Sequence, residues 1–126
     1  MTNEQPKIYD LEERTARFGE NIIEFSKKIP KHEITRPLIS QLIRSGTSVG
    51  ANYCEADCVE SRKDFEHKLG ICKKEAKETK HWLRMMAKAE PALNKDAKIL
   101  WKESNELQLI FISIVKKSKI NKKERA

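Results

Sequence analysis

Residues 62–89 read RKDFEHKLGICKKEAKETKHWLRMMAKA, and this stretch decides the fold class. Its apolar and small residues recur at alternating steps of three and four positions, which keeps them on one face of an α-helix. They are Phe65, Leu69, Cys72, Ala76, Thr79, Leu83 and Met86. A seam with this heptad-like spacing packs against other helices at shallow crossing angles, so the stretch predicts one long helix of a bundle.

The same spacing recurs on both sides of that stretch. The first segment has the seam Ile8, Leu11, Thr15, Phe18, Ile22, Phe25 and Ile29. The last segment has Ala97, Leu100, Ser104, Leu107, Phe111 and Ile114, flanked by Trp101, Ile110 and Val115. The second segment is less regular, with Leu38, Leu42, Ser45, Val49, Asn52 and Ala56 in register. The sequence therefore predicts an all-α, antiparallel up-down-up-down four-helix bundle with helices over 8–29, 36–58, 62–89 and 95–117.

The middle of the second segment is built from small residues, among them Gly46 and Gly50. A glycine inside a helix costs about 0.5–1 kcal/mol relative to alanine, so two of them require a physical reason. One explanation is a close crossing of a neighbouring helix, and the other is a kink or a groove for a partner. We favour the close crossing.

Charge is distributed unevenly along the 126 residues, a length that suits a single domain. Charged residues make up 36% of the chain and aromatic residues 6%, a composition typical of long solvated helices. The formal net charge is +7, and six of the lysines and arginines lie in the last eleven residues beside a single glutamate. We predict a bundle over 1–115 and a basic, disordered tail over 116–126.

The sequence shows no segment that would take the protein out of the cytoplasm. It has no apolar run of membrane-spanning length, and its first ten residues, MTNEQPKIYD, lack the features of a signal peptide. The three cysteines Cys54, Cys58 and Cys72 are odd in number, which indicates a reducing compartment. Because structural zinc uses four ligands and no histidine lies near these thiols in sequence, we predict no metal site.

No arrangement of residues indicates catalysis. None of the three histidines has a visible triad partner, and there is no Gly-rich phosphate loop. Asn52 lies in the core register of the second helix, and Glu55 follows three positions later. We interpret this pair as a polar tie to a neighbouring helix or to a backbone end that sets helix register, with a recognition or catalytic pair as the alternative. The sequence predicts a protein without enzymatic activity, catalytic residues or cofactors.

The 62–89 helix separates its charges onto two flanks. One flank carries Asp64, Glu75 and Glu78, with Lys68 as an exception, and the other carries Lys73, Lys77, Lys80 and Arg84. The cationic flank suits the phosphates of a nucleic acid, and so does the predicted tail. The tail lysines are Lys116, Lys117, Lys119, Lys122 and Lys123. The alternative is that the cationic flank pairs with the acidic first helix or with another subunit.

Three segments carry a resemblance to a known family: IRSGTSVGANYCE at 43–55, SRKDF at 61–65 and KEAKETKHWL at 74–83. From Tyr9 through the fourth helix, the chain resembles bacterial four-helix bundle proteins encoded by intervening sequences of 23S ribosomal RNA genes. It is also similar to the accessory variability proteins of diversity-generating retroelements. The polar motif of the family is matched by Ser48, Asn52, Glu55, Ser61 and Asp64.

The resemblance implies a ring-shaped homo-oligomer, typically a pentamer. It also implies binding of nucleic acid and of a reverse transcriptase through basic surfaces, as in the retroelement members. We therefore expect an oligomeric, non-catalytic accessory protein that binds structured RNA or DNA. A protein-interaction scaffold without nucleic acid affinity is the alternative, and an enzyme that uses Asn52 and Glu55 in an open cleft is a third, weaker one.

Overall fold

Four α-helices make up most of the part of the chain that the structure describes. The structure is a computed structural model and describes residues 10–125, with side chains to residue 121. The helices are α1 (Leu11–Lys27), α2 (Thr35–Ala56), α3 (Arg62–Ala89) and α4 (Asn94–Arg125), with a short 3-10 helix at Pro91–Leu93. No strand occurs in residues 10–125, so the predicted all-α class is confirmed.

None of the helices in the described range is both long enough and apolar enough to cross a bilayer.

The first helix ends earlier than the predicted residue 29. The N–H of Lys28 donates to the carbonyl of Phe25 at 3.1 Å, and the N–H of Ile29 donates to that of Ser26 at 3.2 Å. Each bond joins residues three positions apart, as in a 3-10 helix, so the last turn is tighter than an α-helical turn. Pro30, which follows, has no N–H with which to continue the helix. Ile8, predicted to start the seam of this helix, lies outside the described residues.

The fourth helix corrects the predicted boundary between bundle and tail. α4 continues past residue 117, so the segment predicted as a disordered tail is helical to Arg125. Ser118 provides the physical reason, because its hydroxyl donates to Glu66 Oε2 at 2.6 Å and its carbonyl accepts from Arg62 Nη1 at 3.0 Å. Contacts from the start of α3 therefore hold α4 beyond its last buried turn.

Contacts between helices show that neighbouring helices run antiparallel, because residue numbers rise on one helix as they fall on its partner. The pairs are Thr15–Gly50 and Ile22–Gly46 between α1 and α2, Arg44–Glu75 and Glu55–Lys68 between α2 and α3, Lys80–Asn105 and Glu66–Ser118 between α3 and α4, and Arg14–Glu103 and Lys28–Asp96 between α1 and α4. The chain thus forms an up-down-up-down bundle in which α1 also packs against α4.

The predicted seams meet in one hydrophobic core. Its largest fully buried side chains include Phe18, Ile22, Leu42, Leu69, Leu83, Leu107 and Phe111. Phe65 and Ile114, at the ends of their seams, are half-buried and pack against this core. Burial of such side chains contributes about 1.5–3 kcal/mol each, which makes the core the main source of stability.

A layer of hydroxyl groups crosses the middle of the core. Thr79 Oγ1 donates to the carbonyl of Glu75 at 2.7 Å and lies 3.0 Å from Ser45 Oγ. Ser104 Oγ donates to the carbonyl of Ala76 at 2.8 Å. All three hydroxyl residues are fully buried. Because an unpaired buried hydroxyl costs about 1–3 kcal/mol, these bonds are required for the groups to lie there.

Glycines allow α1 and α2 to approach closely. A Cβ atom on Gly46 would lie 2.8 Å from Ile22 Cγ1, and one on Gly50 would lie 3.2 Å from the backbone oxygen of Thr15. Both distances are shorter than ordinary carbon contacts, so a side chain at either position would push the helices apart. The predicted close crossing is confirmed.

Candidate nucleic-acid interface

The acidic flank of α3 faces α2 and is used inside the chain. Arg44 of α2 contacts Glu75 at 3.2 Å and Glu78 at 2.5 Å, and Trp82 Nε1 donates to Glu78 at 3.3 Å. Partial burial of Glu78 favours its neutral form, but the hydrogen bonds from Arg44 and Trp82 outweigh that effect and hold its pKa below the usual range. The negative charge of this flank is therefore balanced by α2.

The cationic flank of α3 lies along α4 instead. Lys80 contacts α4 directly, because its amine donates to Asn105 Oδ1 at 2.8 Å and lies 4.9 Å from the centroid of the Trp101 ring. Partial burial and the nearby charge of Lys77 lower the pKa of Lys80. In the described part of the chain no ion pair involves Lys73, Lys77 or Arg84, and all three are exposed.

The cationic flank is not paired with the acidic first helix, which was one of the alternatives. Two of the four glutamates of α1 pair with cations of their own helix, since Arg17 contacts Glu13 at 2.9 Å and Lys27 contacts Glu24 at 3.1 Å, and no ion pair among the described residues joins α1 to the cationic flank. The structure therefore leaves the cations of α3 facing outward beside α4.

Two predicted groups of lysines meet in one groove between α3 and α4. This Gly70 groove has a volume of about 410 Å³ and is lined by Lys63, His67, Gly70, Lys73, Lys116 and Lys119. Glu66 also lines it, with its carboxylate accepting the hydroxyl of Ser118. Lys73 belongs to the predicted flank of α3, and Lys116 and Lys119 belong to the predicted tail. Lys73 is far in sequence from Lys116 and Lys119, and they lie close together because α3 and α4 pack antiparallel.

A second groove lies further along the same pair of helices. This Trp101 groove has a volume of about 520 Å³, and its lining includes Leu83, Arg84, Ala97, Lys98, Trp101 and Lys102. The sequence prediction included Arg84 but missed Lys98 and Lys102. Their spacing of four residues places them on one side of α4, which the sequence alone could show. Their proximity to Arg84 depends on how α4 packs against α3, which the sequence did not show.

The two grooves and the cations between them form one surface, here called the basic face. It consists of Lys63, Lys73, Lys77, Lys80 and Arg84 on α3, and Lys98, Lys102, Lys116 and Lys119 on α4. From Lys63 to Arg84, a helix rise of 1.5 Å per residue gives a length of about 32 Å. Positive charge is thus arranged along an extended strip.

Three of the predicted tail lysines are not placed on this face by the part of the chain that the structure describes. Lys117 is exposed and lines a different groove with Arg62 and Phe65, at the start of α3. The side chains of Lys122 and Lys123 lie outside the described residues, although the backbone there is helical.

The polar motif of α2 makes contacts within its own helix and one contact to α3. Asn52 is half-buried, and its amide donates to the carbonyl of Ser48 in the same helix at 2.9 Å. Ser48 in turn donates to the carbonyl of Arg44 at 2.6 Å. Glu55 is exposed and pairs with Lys68 of α3. Glu55 therefore ties α2 to α3, whereas the amide of Asn52, at the edge of the core, binds a backbone carbonyl of its own helix.

The start of α3 agrees with the sequence prediction. Ser61 has extended backbone angles, and its hydroxyl accepts the N–H of Asp64 at 3.0 Å. This is the first half of a capping box, and the negative charge of Asp64 suits the positive end of the helix dipole. Ser61 and Asp64 thus fix the point at which α3 begins.

The cysteines lie in two different environments. Cys54 and Cys58 are exposed at the end of α2, whereas Cys72 is fully buried in the seam of α3. Burial raises the pKa of Cys72 to about 12, so its thiol stays neutral at physiological pH. Cys72 therefore acts as a small buried apolar residue, in agreement with its place in the predicted seam.

The fold and surface define a class of helical bundle protein with one strongly cationic side. Residues 9–113 match the profile of the 23S rRNA-intervening sequence protein family, and the chain belongs to that family. A solved structure from Bacteroides thetaiotaomicron, described as a protein with unknown function from the S23 ribosomal protein family, is similar at 33% sequence identity with a TM-score of 0.77. The match covers 84% of this chain and 98% of that one. Among curated proteins, none matches the sequence significantly.

Proposed function

We propose that this chain is a non-catalytic accessory protein that binds structured RNA or DNA through its basic face and acts as a homo-oligomer. The observation that supports binding is the alignment of cations from α3 and α4 along one strip, with Lys73, Lys77 and Arg84 exposed and outside every ion pair of the described residues. The acidic residues nearest in sequence, Glu75 and Glu78, face α2 instead.

The dimensions of this strip suit a polyanion. Duplex DNA carries one negative charge per about 1.7 Å of its axis, so a strip about 32 Å long meets several phosphates at once. Each neutralised phosphate releases condensed counterions, which favours binding at low salt and weakens it at high salt. The affinity of the complex is therefore expected to depend steeply on salt concentration.

The test is a comparison of two triple variants that remove the same charge. One triple variant removes cations from the centre of the basic face by Lys73→Ala, Lys77→Ala and Lys116→Ala. The control triple variant removes three exposed cations near the turn between α1 and α2 by Lys27→Ala, Lys31→Ala and Arg36→Ala. Fluorescence anisotropy with a structured RNA at several salt concentrations gives the affinity and its salt slope. The first variant is expected to lose about 0.9 in slope for each phosphate contact removed, and the second to behave like the parent.

Equal losses in the two variants would mean that only net charge matters, and would contradict a specific basic face. Absence of binding to RNA and DNA by the parent at low salt would contradict the proposal as a whole. That outcome, combined with an oligomer and a co-purifying protein, would favour the alternative of an interaction scaffold.

The proposed oligomer, for which the family resemblance favours a pentamer, is supported by apolar side chains that a single chain leaves exposed. They include Ile23, Ile34, Ile99, Leu109 and Ile120. An oligomer would bury some of this area and bring several basic faces together, and linked sites raise avidity without new contacts. Light scattering is expected to give a mass about five times the 14.7 kDa of one chain, and a monomeric mass would contradict this part of the proposal.

The proposal that the protein is not an enzyme is supported by the contacts of Asn52 and Glu55, the candidate catalytic pair. The amide of Asn52 binds its own helix, and the carboxylate of Glu55 pairs with Lys68, so the two groups do not converge on a shared substrate position. For a protein partner we propose a reverse transcriptase, on the resemblance alone. Co-expression followed by affinity purification tests this partner separately from nucleic acid binding.

A further inference from the structure

The Trp101 groove combines an accessible aromatic ring with cations at its rim. The side chain of Trp101 is 39% exposed although tryptophan is a costly residue to leave in water. One contact of its ring is the amine of Lys80, 4.9 Å from the centroid. The lining includes the apolar Leu83 and Ala97, and it also includes Arg84, Lys98 and Lys102.

The second tryptophan shows how different this environment is. Trp82 is half-buried on the α2 side of α3, and its N–H donates to Glu78, so that indole is held by groups of the chain itself. Trp101 instead lines an open cavity of about 520 Å³, within the range of pockets that hold small ligands. A ligand that fits must offer a flat apolar surface to the indole and negative charge to the rim.

An unpaired nucleotide has this chemistry, because its base provides the flat surface and its phosphates provide the charge. We propose that the Trp101 groove binds an unpaired nucleobase stacked against Trp101, while Arg84, Lys98 and Lys102 contact the flanking phosphates. This inference rests on the proposed function and names its substrate class: single-stranded segments, loops or bulges. The bases of a continuous duplex are stacked on each other and cannot enter the groove, so duplex would bind through phosphates alone.

Single-tryptophan variants test the inference because each one reports the fluorescence of one indole alone. Trp82→Phe leaves Trp101 as the only tryptophan, and Trp101→Phe leaves Trp82 as the matched control. Each is titrated at low salt with oligo(dT) and with the oligo(dT)–oligo(dA) duplex. We expect oligo(dT) to quench the fluorescence of Trp101 in the first variant, the duplex to leave it nearly unchanged, and Trp82 in the second variant to respond to neither.

Affinity provides a second readout. Stacking of a base on an aromatic side chain contributes to affinity, so Trp101→Ala is expected to weaken oligo(dT) binding about tenfold while duplex binding changes less than twofold. Circular dichroism checks that this variant folds, and the Trp82→Phe titration decides the question if it does not.

The outcomes separate this inference from the function on which it rests. Binding of both nucleic acids without quenching of Trp101, or with equal quenching by strand and duplex, would overturn the stacked base and leave the basic face intact. Failure of the parent to bind either one would overturn both proposals. Quenching by oligo(dT) alone, with loss of affinity in Trp101→Ala, would support the unpaired base.

Discussion

The α1–α2 pair and the α3–α4 pair of this bundle are built on the same heptad-like seams but present opposite surfaces. Where α1 meets α2, Gly46 and Gly50 let the helices touch, and the groove outside them is lined by acidic residues that include Glu12, Glu13 and Glu20. Where α3 meets α4, two grooves remain open and lysines surround them. The formal net charge of +7 therefore understates how positive one side is.

The comparison shows that side chains next to a seam, and not the seam itself, set the shape and the charge of the surface that a bundle presents. Glycines beside the α1–α2 seam allow close packing. Gly70, beside the α3–α4 seam, has no atom within 4 Å of the place where a Cβ would lie, so there a glycine leaves open space. The same residue type thus has opposite consequences on the two sides, and matched substitutions can test this.

The largest effect is expected for Gly46→Ala, which should lower the free energy of unfolding by about 1–2 kcal/mol. The new methyl group would clash with Ile22, which is fully buried, and overpacking of this kind costs about 1–3 kcal/mol. Urea denaturation followed by circular dichroism measures the change. In an Ile22→Ala background the clash is removed, so Gly46→Ala should no longer destabilise, and persistence of the loss would contradict the close contact.

An intermediate effect is expected for Arg44→Ala at the α2–α3 seam, with a loss of about 1 kcal/mol at neutral pH. The substitution leaves Glu75, whose side chain is 11% exposed, without its cation. The pKa of Glu78 is lowered in the native state, so the pairing stabilises above the unfolded pKa of about 4.3 and is lost as the pH falls through the native pKa.

The stability difference between Arg44→Ala and the parent should therefore shrink below about pH 4. Thermal unfolding at neutral and acidic pH measures it. A difference that is independent of pH would show that Arg44 acts through packing alone and not through its charge.

The smallest effect is expected for Gly70→Ala, and it has the opposite sign. With open space around the new methyl group, only the better helix propensity of alanine remains, and the free energy of unfolding should rise by about 0.5–1 kcal/mol. The same urea denaturation experiment measures the gain, and Gly46→Ala is its matched control. A loss of stability would mean that the Gly70 groove is closed by contacts in solution.

The sequence predicted the helices well because burial of one face requires the three-and-four spacing. The range of α3 was predicted as 62–89 and is Arg62–Ala89, since Ser61 caps its start and Pro91 follows its end. The end of α4 was missed because composition alone suggested a free tail. What holds that segment is Ser118, whose partners Glu66 and Arg62 are more than 50 residues away in sequence.

The candidate site was predicted only in part for a related reason. The spacing on α3 revealed Lys73, Lys77 and Arg84, because residues on one helix share a face at regular intervals. Lys98 and Lys102 were missed because their role depends on which flank of α4 lies beside α3. Asn52 was misplaced toward the core, because register alone does not show how far a seam position lies from the bundle axis.

The hydroxyl layer formed by Ser45, Thr79 and Ser104 has a consequence for alignment. Repeating seams could slide past one another by one heptad and still bury apolar surface. Such a slip between α2 and α3 would place Ser45 opposite Cys72 or Met86, which are poor hydrogen-bond partners. Thr79 would keep the carbonyl of Glu75 in its own helix, whereas Ser45 would keep only the carbonyl of Leu42 at 3.4 Å. The lost contact between the two hydroxyl groups costs about 0.5–1.5 kcal/mol, so this layer favours a single alignment of α2 against α3.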